Sequence, residues 1–200
     1  MEAPRYANGF EVTLQPDVVD APRRWRKPRR VFVNSMSDLF HEDVPTEYIR
    51  SVFEVMAECP QHDFQVLTKR ADRLRGVAHE LIWAPNIWMG VSVESPKYYS
   101  RIEALSEVGA RIRFLSVEPM LEACPDLPLR GIHWVIVGGE SGPGARSIEE
   151  SWVLDVRDQC RTQPHDVAFF FKQWGGVQKK RAGRRLQGEH YDGWPATAAK

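Results

Sequence analysis

The sequence predicts an α/β domain built on a parallel sheet of about six strands. Three observations carry this. Six short apolar runs, rich in branched and aromatic side chains, recur along the chain. Such runs suit strands buried on both faces of a parallel sheet. Amphipathic stretches separate most of them, so strand, helix and strand repeat with right-handed crossovers. Each run then leaves the core through hydroxyl, amide or charged residues, at the end of a parallel strand where ligands bind in such folds. The pattern fits either an open doubly wound sheet or part of a (β/α) barrel.

The elements follow in order. Residues 1–30 read as an extended basic arm, with Phe10–Leu14 alternating like one short strand. The domain proper is expected over 31–176. Its strands are centred on Val31–Val33, Phe64–Leu67, Ile87–Val91, Ile112–Leu115, His133–Val137 and Val167–Phe171. Helices are predicted over 45–59, 71–81, 96–108 and 148–161, where apolar residues recur at i, i+3 and i+4. Pro96 suits a first helical turn. The link from Leu115 to His133 carries Pro119, Pro125 and Pro128 and predicts a loop. Residues 177–200 are expected to form a basic, mobile tail, with Lys179, Lys180, Arg181, Arg184 and Arg185.

The residues after each strand supply the candidate site. Asp38, Lys69, Glu94, Glu118 and Lys172 are the candidate catalytic groups. Asn34, Ser35, Arg70, Ser92, Ser116, Gly138, Gly139, Glu140, Ser141 and Gln173 are the candidate ligand contacts, with Asn34, Ser35 and Asp38 at the floor. Ser-x-Glu occurs twice, at Ser92 and Glu94 and at Ser116 and Glu118, and a period of two turns both members to one side. Carboxylates crowded together need cations, protons or a metal; Lys69, Arg70 and Lys172 are the available cations. The glycines of residues 138–144 let backbone amides approach a ligand. A helix expected to start near Ser147 would favour an anion there. This loop is neither a Walker loop nor a dinucleotide fingerprint, because the spacing fails both.

The 200 residues carry zero net charge, so overall charge points to no partner. Local charge does. Arg24, Trp25, Arg26 and Arg30 interleave cations with an indole, a combination suited to phosphates and bases. The plainer expectation is a solvated edge whose stems cover apolar surface. Cys59, Cys124 and Cys160 are scattered and lack disulfide or zinc spacing, which predicts structural thiols in a reducing cytoplasm. No HxxxH pattern exists, and no metal site is expected; His41 lies close behind Asp38, and His133 reads as structural. No apolar run approaches the roughly 20 residues of a membrane span.

The strings VFVNSMSDLFHEDVP, FQVLTKR, NIWMGVSVE, RFLSVEPML, HWVIVGGESGPGAR and FFFKQWGG resemble a bacterial and phage family of unassigned function described as radical-SAM-like. The resemblance runs from about Asn8 to the tail. It implies a partial, TIM-like (β/α) barrel, an S-adenosylmethionine site at the strand ends and a three-Cys-motif partner protein. Members of that family begin with a cysteine-rich, cluster-binding segment, and three thiolates hold such a cluster. Here Met1 falls after that segment would end, and none of the three cysteines has its spacing. The expectation is therefore the core of a radical-SAM-like protein, truncated at its start or inactive in radical chemistry. Two rivals stand beside it: a nucleic-acid-binding accessory protein using the basic arm and tail, and a barrel hydrolase using clustered carboxylates.

Overall fold

The computed structural model describes residues 9, 11–177 and 182–196. Within them, six parallel strands form one sheet: β1 (Arg30–Val33), β2 (Asp63–Thr68), β3 (Ile87–Ser92), β4 (Ile112–Val117), β5 (Trp134–Gly138) and β6 (Ala168–Gln173). They lie in chain order across the sheet, every neighbouring pair parallel. A doubly wound sheet would reverse its strand order partway. Here it never reverses, so right-handed crossovers place every connection on one face. The sheet curls into a half-barrel, which settles the alternative left open by the strand pattern.

Among the described residues five α-helices accompany it: α1 (Pro16–Val19), α2 (Thr46–Ala57), α3 (Ala71–Val77), α4 (Ser100–Ser106) and α5 (Glu150–Arg161). The link between β4 and β5 forms a helix-free loop, as its prolines predict. Among the described residues, no helix is long and apolar enough to cross a membrane.

Alternation along the strands divides the core in two. Phe64, Val66, Met89, Val91, Leu115, Val117, Val135 and Phe171 pack on the helix side. Trp88, Ile112, Phe114 and Trp134 form a separate layer on the concave face, with Leu67, Ile136, Ala168 and Phe170 against it. Both faces are thus apolar, which is why the runs are continuous. Gly90 makes room for this second layer. A β-carbon there would lie 2.4 Å from the Phe114 ring. Gly90→Ala should therefore cost about 2 kcal/mol through overpacking. Thermal unfolding checks this, and an unchanged midpoint would mean that the Phe114 ring turns aside freely.

The two termini depart from expectation. Phe10 lies outside the described residues, and residues 11–14 form no strand. The arm instead makes α1 and a 3-10 turn (Ala21–Arg24) before β1. Lys179, Lys180 and Arg181 lie outside the described residues, but residues 182–196 are anchored to the sheet. The Phe171 N–H donates to the Tyr191 carbonyl and the Gly193 N–H to the Phe169 carbonyl, each at 3.0 Å. Leu186 is fully buried, and the Trp194 ring lies 4.5 Å from that of Trp134. Basic composition suggested a solvated tail. Leu186, Tyr191 and Trp194 supply enough apolar surface to dock it, and the segment covers the β6 edge that would otherwise be open.

Candidate functional site

Parallel register brings Ser92 and Ser116 side by side at the ends of β3 and β4, and both are buried. Two residues further on along the chain stand Glu94 and Glu118. Glu94 is 5% exposed. Its carboxylate meets the Lys69 ammonium on one side and Arg101 Nη1, at 3.0 Å, on the other. Arg101 is held in turn, since the same nitrogen donates to the Ser92 carbonyl at 2.8 Å and its guanidinium lies 3.9 Å over the Tyr98 ring. Burial pushes the Glu94 pKa up. The Lys69 hydrogen bond, its own backbone N–H and the charges of Lys69 and Arg101 outweigh this and hold it below the ordinary carboxylate value.

Glu118 is the matching acid just after β4. Lys172 Nζ donates to it at 2.8 Å and Gln173 Nε2 at 3.2 Å. Gln173 Nε2 also reaches Ser141 Oγ at 2.8 Å. Gly138 allows this packing, because a β-carbon there would lie 3.0 Å from a Glu118 carboxylate oxygen. The ends of β4, β5 and β6 thus bring Glu118, Gly138, Ser141, Lys172 and Gln173 together. Lys69 and Lys172 remain 54% and 53% exposed, so their ammonium groups stay within reach of a ligand.

The other predicted residues stand differently. Asp38 joins the first strand-end loop to the second. It accepts from Thr68 Oγ1 at 2.8 and 3.0 Å, from the Phe40 and Lys69 N–H groups at 3.0 and 3.1 Å, and from Arg70 Nη1 at 3.4 Å. Its acceptor capacity is therefore spent within the protein. Asn34 and Ser35 are exposed at the rim; the buried floor is made by Ser92 and Ser116.

In the glycine loop, Glu140 is clamped by Arg146 through Nε and Nη2, both at 2.8 Å, and through its backbone N–H at 2.9 Å. These Arg146 contacts bring its pKa down to about 2. The anion gripped by this loop is therefore its own glutamate, and α5 starts only at Glu150. Gly139 serves a close backbone crossing, since a β-carbon would fall 2.0 Å from the Trp174 carbonyl oxygen.

Two residues at the mouth escaped sequence reading. Arg101 sits on α4, and its one signal was being a cation in an otherwise amphipathic stretch. Arg146 lies six residues after Glu140, a separation that a turn closes but no helical or strand period marks.

At the other end of the sheet lies the basic arm. Arg23 pairs with Asp20 and Glu58. Trp25 packs edge-on against His62, and the Arg29 guanidinium lies 4.6 Å over the Trp25 ring. Arg30 lies 4.3 Å over Trp194. Arg24, Arg26 and Lys27 are exposed, with no carboxylate partner among the described residues. His133 Nδ1 accepts the Arg113 N–H at 3.2 Å, a structural role as expected.

Each strand-end carboxylate thus faces a cation, an arrangement that binds and orients charge. Among the described residues, no three His, Cys, Asp or Glu side chains gather where they could hold a metal ion. The cysteines do not fit an iron–sulfur cluster. Cys59, Cys124 and Cys160 are all buried in the helix-side core. Burial pushes the thiols of Cys124 and Cys160 up to about 11 and about 12, away from the thiolate that ligation needs.

Comparison with known proteins gives one match. The family model described as Protein of unknown function (DUF5131) matches residues 1–195. No curated protein and no solved structure matches the chain.

Proposed function

The chain belongs to this family of unknown function, and from the site itself we propose that the mouth of the half-barrel binds a small zwitterionic ligand, as an enzyme core or as a degenerate relative of one. One observation carries this reading. Glu94 and Glu118 are each paired with a half-exposed lysine, Lys69 and Lys172, above a buried pair of serines. A zwitterion entering such a pair offers its own ammonium to the glutamate and its own carboxylate to the lysine. One ion pair becomes two, and neither charge is stranded in a poorly solvated place.

S-adenosylmethionine is the ligand that the resemblance to radical-SAM-like proteins implies, and its amino-acid end is a zwitterion of this kind. Glu94 or Glu118 would hold its ammonium, Lys69 or Lys172 its carboxylate, and Ser141 and Gln173 its polar edges. When bound, it supplies an activated sulfonium. No radical step is assigned, because the cysteines of this chain do not fit the cluster such a step requires. The carboxylate-hydrolase reading gains nothing from carboxylates already matched by lysine and arginine.

Titration calorimetry with S-adenosylmethionine tests the proposal. Heat of binding is expected, with affinity falling about tenfold in Lys172→Met through loss of one charge-assisted contact. Absence of heat at about millimolar ligand, an affinity of under about 4 kcal/mol, would rule out this ligand for the chain.

A further inference from the structure

The concave face carries a second surface, at the end away from the mouth, and we infer that it binds single-stranded nucleic acid. It shares no residue with the proposed ligand site. Strand register assembles it: Arg30 stands opposite Asp63, Phe32 opposite Gln65, and Gln65 opposite Trp88. The tail adds Trp194, whose ring lies 6.4 Å from that of Trp88.

Phe32, Arg30 and the cations of the arm each offer a contact that a nucleotide strand would use. Phe32 is 46% exposed beside the buried aromatic layer, leaving ring surface open to a planar partner. Arg30 is spread over the Trp194 indole at 4.3 Å yet remains exposed, so its planar guanidinium is itself a stacking platform. Arg24, Arg26 and Lys27, which precede Arg30 in the chain at the same end of the sheet, are exposed cations with no carboxylate partner among the described residues. Stacking planes with exposed cations at the same end of the sheet match a strand whose bases are free. A duplex keeps its base faces inside the stack and could use only the cations. Because the protein has zero net charge, this attraction is local to the arm rather than a property of the whole molecule.

The test is fluorescence anisotropy with a labelled mixed-sequence oligonucleotide of about 20 nucleotides, offered as single-stranded DNA, single-stranded RNA and duplex DNA. In about 50 mM salt, at least one single strand should bind more tightly than the duplex, and its log K should fall linearly with log salt. Arg26→Gln with Lys27→Gln should weaken binding and reduce that slope by about 1.4, two contacts at about 0.7 each for a single strand. Phe32→Ala should weaken binding about tenfold while leaving the slope unchanged, because stacking releases no counterions. The double variant alters only exposed side chains, so it keeps the proposal testable even if Phe32→Ala disturbs the sheet. No anisotropy change with either single strand, duplex binding equal to single-strand binding, or an unaltered slope in the double variant would each overturn the inference. Calorimetry with S-adenosylmethionine should be the same in the double variant as in the parent chain, which separates this surface from the mouth.

Discussion

Trp134→Ala should lower the unfolding free energy by about 4 kcal/mol, within the range for removing a large buried aromatic. Trp134 is 3% exposed and lies at the centre of the concave layer. Its ring centroid is 5.7 Å from that of Phe114, 6.1 Å from Phe170, 6.2 Å from Trp88 and 4.5 Å from Trp194. Four aromatic neighbours on rigid strands and a docked tail cannot close the space left behind. Its Nε1 also donates to the Gly193 carbonyl at 2.9 Å, so the change frees the segment that seals β6. Urea unfolding should show the loss, and limited proteolysis should cut between 182 and 196 faster than in the parent chain. Trp134→Phe separates the two contributions. It keeps most of the ring packing and should cost about 1–2 kcal/mol, chiefly the lost hydrogen bond. A Trp134→Ala variant within about 1 kcal/mol of the parent would mean that the concave layer is not a core.

The same layer shows where sequence reading ends. All six strands were legible, because runs such as Ile87–Val91 and Trp134–Val137 carry no polar side chain. That continuity also hid their orientation. A period of two distinguishes inside from outside only when one face is polar, and here Trp88 and Met89 are equally apolar though they face opposite ways. The role of Trp194 was invisible for a related reason: its partners come from four strands, and no local pattern announces them. At the strand ends, the doubled Ser-x-Glu drew attention to Glu94 and Glu118. Asp38 looked the same in sequence, yet it staples two loops together, because a carboxylate bonded to a threonine hydroxyl and two backbone amides has no distinct signature. The glycines of the loop were legible as places of close approach. What approaches them is the Glu118 carboxylate and the Trp174 carbonyl, contacts between distant segments that only the folded chain reveals.

Glu94→Gln should cost about 3 kcal/mol at neutral pH, the scale for breaking one side of a buried charge pair. Most of that penalty falls on Arg101, whose side chain is only 17% exposed and would lose its anionic partner. Lys69 is 54% exposed and can turn to water, so it contributes little. The sign of the pH dependence follows from the pKa. Burial raises it, but Lys69 and Arg101 more than compensate, and the folded value lies below the ordinary 4.5. A depressed carboxylate stabilises the fold fully above its unfolded pKa, and that contribution is lost as pH falls through the folded value. Urea midpoints of parent and Glu94→Gln should therefore differ at pH 7 and converge below about pH 4.5. A difference that persists unchanged at about pH 3 would refute the assignment of the pair to Glu94. The double variant Glu94→Leu with Arg101→Met then separates stability from function. Buried ion pairs replaced by apolar side chains of similar volume are often as stable or more so. If the double variant is more stable than Glu94→Gln yet gives no heat with a ligand that the parent binds, the charges at this strand end serve the ligand and the fold can do without them.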